Sequence, residues 1–70
     1  MNGNELLKKL KRLARQNGVD MSYDSSHGKG SHGTLRYNGR RTTLKDPRKE
    51  ISPGLLKGML DDLGLTKDDL

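Results

Sequence analysis

The chain has no cysteine, no phenylalanine and no tryptophan, and only two prolines among its 70 residues. Without cysteine there is no disulfide framework and no thiolate metal site. With two tyrosines as the only aromatics, the core must be built mostly from Leu, Met and Val. A core of that size supplies about 3–5 kcal/mol of net stability. Acidic residues are also scarce: nine stand against 14 Lys and Arg, giving a formal charge of +5. That sign favours an anionic partner. No apolar run is long enough to span a membrane. The N-terminal Met-Asn-Gly-Asn-Glu lacks the charged-then-apolar pattern of a signal peptide. One domain over residues 1–70, in the cytoplasm and without a membrane partner, is therefore expected.

Hydrophobic spacing organises the rest. Leu6, Leu7, Leu10, Leu13 and Ala14 share one stripe of a helix over residues 4–17, with Asn2 or Asn4 as cap and Gly18 as stop. Val19, Met21 and Tyr23 alternate with Asp20, Ser22 and Asp24, the period of a short strand. Ser25 to Ser31 are polar and glycine-rich and read as a loop. Thr34 to Tyr37 and Arg40 to Leu44 flank Asn38-Gly39, the sequence of a two-residue type I′ hairpin turn. Ser52-Pro53 opens a second helix, whose stripe is Leu55, Leu56, Met59, Leu60 and Leu63 and whose stop is Gly64. Thr66 and Asp69 have the spacing of a capping box. The predicted order is α-β-β-β-α, an α+β fold with both helices covering one face of a three-stranded antiparallel sheet.

A two-residue turn fixes the hairpin register. Gly33, Leu35 and Tyr37 then oppose Leu44, Thr42 and Arg40. The other face carries His32, Thr34, Arg36, Arg41, Thr43 and Lys45, none of them apolar. Arg36 and Arg41 are expected directly opposite each other, where like charges repel by up to about 1 kcal/mol. A phosphate between them would reverse that penalty. His32 lies between glycines and beside this basic face, and its side chain exchanges a proton near neutral pH. RNA carries its own nucleophile, the 2′-hydroxyl. One imidazole in reach of it could act as general base, with Arg or Lys stabilising the charged transition state. No metal and no cofactor are needed on that route. Lys29, Lys45, His27 or water could protonate the leaving oxygen, and the sequence does not choose among them.

Other chemistries fit less well. Two histidines without cysteine or carboxylates in a ligand pattern make a poor metal site. Gly28-Lys29-Gly30-Ser31 lacks the order of a phosphate loop, which excludes nucleotide binding of that kind. Asp61, Asp62, Asp68 and Asp69 read as surface.

The chain resembles the HicA toxin family of bacterial type II toxin–antitoxin systems over nearly its whole length. The carriers are the N-terminal leucine helix, Gly28-Lys29-Gly30-Ser31-His32-Gly33, the hairpin Leu35 to Leu44, and Lys49-Glu50-Ile51-Ser52-Pro53-Gly54-Leu55-Leu56 followed by Leu63-Gly64-Leu65. The resemblance implies a double-stranded-RNA-binding-domain-like fold and a metal-independent endoribonuclease that cuts mRNA. It implies a HicB-type antitoxin protein as partner and inhibitor. It places the catalytic histidine at His32; many members have a second histidine next, where this chain has Gly33. Lys29, Ser31, Thr34, Arg36, Arg41 and Lys45 are the expected RNA contacts. Two alternatives remain: a non-catalytic RNA-binding module of the same fold, and a protein-interaction domain whose charges only keep it in solution.

Overall fold

Both helices begin and end where their capping residues put them. The computed structural model describes residues 1–24 and 33–70. The first helix, α1, spans Gly3–Asn17. Asn2 accepts from the Glu5 backbone N–H at 2.9 Å, and the Glu5 carboxylate accepts from the Asn2 backbone N–H at 3.3 Å. This reciprocal box satisfies two donors that a helix start leaves free. Gly18 ends α1 in the left-handed conformation, as Gly64 ends α2, which spans Pro53–Leu63. The α2 cap is Ser52, with Pro53 at the first turn. Lys67–Asp69 form a short 3-10 turn capped by the Thr66–Asp69 pair.

Three strands lie between the helices: β1 is Met21–Asp24, β2 is Gly33–Tyr37 and β3 is Arg40–Leu44. Their spatial order is β1-β2-β3, antiparallel throughout. The α-β-β-β-α arrangement is the double-stranded-RNA-binding-domain-like order. Val19 precedes β1 instead of opening it. At the turn, Asn38 has φ 51° and Gly39 φ 80°, the positive pair that Asn-Gly supplies at least cost. The hairpin register is the one the turn dictates: Gly33 pairs with Leu44, Thr34 with Thr43, Leu35 with Thr42, Arg36 with Arg41 and Tyr37 with Arg40.

One sheet face meets both helices. Leu35, Tyr37 and Leu44 pack with Leu6, Leu10 and Ala14 of α1 and with Leu56, Met59, Leu60 and Leu63 of α2. Ile51 joins them from the segment between β3 and α2. It is held there because the N-terminus pairs with that segment. The Ile51 N–H donates to the Met1 carbonyl at 3.0 Å, Asn2 and Glu50 form a β-bridge, and the Met1 amino group contacts the Glu50 carboxylate.

Leu55 departs from expectation. By spacing it belongs to the α2 stripe, yet it is 52% exposed. Leu56 and Met59 already fill the side of α2 turned to the sheet, so Leu55 falls outside the arc that the sheet covers. Leu55→Ala is expected to change unfolding free energy by no more than about 0.5 kcal/mol, read by urea denaturation.

Candidate nucleic-acid interface

The face of the sheet turned away from the helices is open. Its middle row is Ser22, Arg36 and Arg41, paired in register across the three strands and all exposed. The next row is Asp24, Thr34 and Thr43, with Thr34 half-buried. Lys45 is exposed one residue beyond β3. The structure thus brings Thr34, Arg36 and Arg41 together as expected from the hairpin. Among the described residues neither arginine has an ion-pair partner. Lys29, Ser31 and His32, with His27 and the His32–Lys45 pairing, lie outside the described residues.

Arg40 takes the other side of the sheet. Its guanidinium reaches the end of α2, so close that a Cβ on Gly64 would lie 3.1 Å from its Nε. A cation there complements the carbonyl end of the helix. Tyr37 is buried, and its hydroxyl accepts from the Asn17 amide at 3.1 Å. Tyr37 does not serve the open face, whereas Arg40 also lines a groove with Asp20, Ser22, Arg36 and Arg41. Thr42 is buried and donates to Asp62 at 2.8 Å, which ties α2 to β3. Asp62 is exposed as expected, but it also anchors a strand.

Tyr23 carries a role that the sequence did not reveal. It pairs with Leu35 in β1, and its ring crosses the core side of Gly33 to reach β3. Its hydroxyl donates to the Leu44 carbonyl at 3.1 Å. A Cβ on Gly33 would lie 2.5 Å from the hydroxyl oxygen and 2.6 Å from the ring. Gly33 is therefore required for close approach, in the manner of a strand glycine covered by an aromatic ring. The clamp joins three strand ends: the end of β1, the start of β2 to which His32 is bonded, and the end of β3 that leads to Lys45. A pairing of Tyr with a glycine one strand over and two residues on is the signal that would have found it.

Beyond β3, Arg48 grips Asp46 with two side-chain bonds of 3.1 Å and one backbone bond of 3.0 Å. The Arg48 guanidinium first, then its backbone N–H, holds the Asp46 carboxyl below its usual range. Burial first, then the Asp46 charge, pushes the Tyr23 phenol up. A phenol raised in the folded state stays protonated while the unfolded chain ionises. Its stabilisation is complete below about pH 10 and is lost as pH climbs from there through the folded value. Tyr23→Phe is expected to cost about 1 kcal/mol at neutral pH through the lost hydrogen bond, and to flatten the loss of stability above about pH 10. Denaturant titrations from pH 7 to 11 check both effects.

Among the described residues no helix is long and apolar enough to cross a membrane, and no group of three His, Cys, Asp or Glu is placed to hold a metal ion. A three-stranded antiparallel sheet backed by two helices, with Arg36 and Arg41 exposed side by side on its outer face, defines a small α+β domain. Residues 3–65 match the family model described as the HicA toxin of bacterial toxin–antitoxin systems. The chain belongs to that family and is the toxin of a toxin–antitoxin pair. No curated protein and no solved structure matches it.

Proposed function

We propose that this toxin is a metal-independent endoribonuclease that cuts mRNA in the cytoplasm, with His32 as general acid/base, and that a HicB-type antitoxin inhibits it by covering the same face. The observation that carries this reading is the Arg36–Arg41 pair: two cations directly opposite each other, exposed and without an acidic partner among the described residues. Opposed like charges cost up to about 1 kcal/mol, which a bound phosphate offsets. The Tyr23 clamp supports it further, since it fixes the strand end to which His32 is attached.

The chemistry follows from the substrate. His32 takes the proton of a 2′-hydroxyl, and that oxygen attacks the adjacent phosphorus. The bond from phosphorus to the 5′-oxygen breaks, and the leaving oxygen takes a proton from Lys29, Lys45, His27 or water. The products are a 2′,3′-cyclic phosphate and a 5′-hydroxyl. Arg36, Arg41 and Lys45 stabilise the extra negative charge, with Lys29, Ser31 and Thr34 as further contacts to the RNA. No cofactor takes part in these steps.

Expression from a tight promoter, with growth and mRNA integrity followed together, tests the function. Growth arrest with fragmented mRNA, relieved by co-expression of the neighbouring antitoxin gene, is the expected result. Salt-sensitive RNA binding with intact RNA after long incubation would replace this reading with a non-catalytic binding module.

A further inference from the structure

The open face is not uniformly basic. β1 brings Ser22 and Asp24 to it, and Asp20 stands just before that strand in the same alternation. At the hairpin-turn end a groove of about 400 Å³ is lined by Asp20, Met21 and Ser22 from β1 and the residue before it, and by Arg36, Arg40 and Arg41 from the hairpin, with Gly39 at its end. Among the described residues the Asp20 carboxylate, like the two guanidinium groups, has no ion-pair partner. The groove therefore offers cations along one wall and an unused acceptor along the other.

We propose that this groove is a nucleotide subsite that reads a base flanking the cut, preferring a base with amino and imino N–H donors on its pairing edge, guanine first and uracil last. The inference rests on the RNA reading given above. Arg36 and Arg41 hold the phosphate, because planar guanidinium groups bind phosphate oxygens in pairs. That leaves the base turned toward β1. A carboxylate only accepts hydrogen bonds. Guanine presents two adjacent donors, N1–H and the N2 amino group, to the two oxygens of Asp20. Uracil presents one N–H between two carbonyl oxygens, which a carboxylate repels. Unpaired bases are open to such reading on their pairing edges.

The groove also lies in the right place for a neighbour of the scissile nucleotide. Arg36 is three residues from Gly33, about 10 Å along a strand at ~3.3 Å per residue. Asp20 is held from behind, since its carbonyl accepts from the Asn38 N–H at 2.8 Å. That bond belongs to the backbone, so Asp20→Ala keeps it and changes only the exposed side chain.

The test uses short 2′-O-methyl oligonucleotides, which lack the nucleophile and stay uncut. Each is all-uridine except for one central G, A, C or U, and binding to the full chain is followed by fluorescence anisotropy at low salt. The G-containing strand is expected to bind about tenfold tighter than the all-U strand, the span of one bidentate base contact. Asp20→Ala is expected to bring the two within about twofold without weakening the all-U strand. Equal binding of G and U by the wild type, or a G preference that survives Asp20→Ala, overturns the subsite and leaves the RNA reading standing. Failure of every strand to bind overturns the RNA reading itself, and the subsite with it.

Discussion

His32→Ala is expected to slow RNA cleavage by about 10²–10⁴-fold, the usual worth of a positioned general acid/base. RNA affinity should change little, because in the proposed mode of binding the phosphates fall to Arg36 and Arg41. The separation of effects follows from placement. His32 is bonded to Gly33, at the clamped end of β2, whereas Arg36 stands about 10 Å further along the same strand. Loss of the imidazole removes a proton acceptor and leaves the basic face intact. Single-turnover cleavage of a defined RNA by wild type and variant, with binding measured on an uncut oligonucleotide, gives both numbers. Cleavage at the wild-type rate removes His32 from the chemistry. Loss of binding in step with cleavage makes it a contact and nothing more.

Gly33→Ala is expected to destabilise the fold by about 1–3 kcal/mol, the range for overpacking a filled position. The added carbon would stand 2.5–2.6 Å from the Tyr23 hydroxyl and ring. The ring cannot swing away freely, because its hydroxyl is bonded to the Leu44 carbonyl at 3.1 Å. Relief therefore breaks that bond or shifts β2. In a 70-residue domain with about 3–5 kcal/mol in hand, the loss is a large share of the whole. The two residues should be strongly coupled. Once Tyr23→Ala has removed the ring, Gly33→Ala should cost much less than it does alone. Urea denaturation of the four members of the cycle measures the coupling. Additive losses would mean that the ring does not enforce the glycine. In this chain any side chain at residue 33 would enter the core side, against Tyr23.

The parts of the fold that were legible in the sequence are those set by local rules. Asn38-Gly39 dictates a turn of two residues, and the turn dictates every pair from Gly33–Leu44 to Tyr37–Arg40. That register alone sets Arg36 opposite Arg41 and turns Leu35 and Tyr37 inward. The caps at Ser52, Gly18 and Gly64 are equally local. Contacts between distant segments left no such signal. Ile51 is buried because the N-terminus pairs with its segment, and Tyr23 matters because Gly33 lies beneath its ring. Leu55 shows the limit of a stripe read by spacing, which finds an apolar arc without showing how much of it the sheet covers. On the open face the hairpin half was visible as a basic patch. The β1 half, with Asp20, Ser22 and Asp24, followed the same alternation and changes the patch into a surface with two sides.

The proposed reaction runs through the substrate's own 2′-hydroxyl. Its most direct test is a defined RNA cut by the purified chain, set beside the same RNA with a single 2′-deoxy sugar at the cut site. Cleavage of the first, leaving a 2′,3′-cyclic phosphate, and an intact bond in the second are expected. Continued cutting at the deoxy position would contradict it.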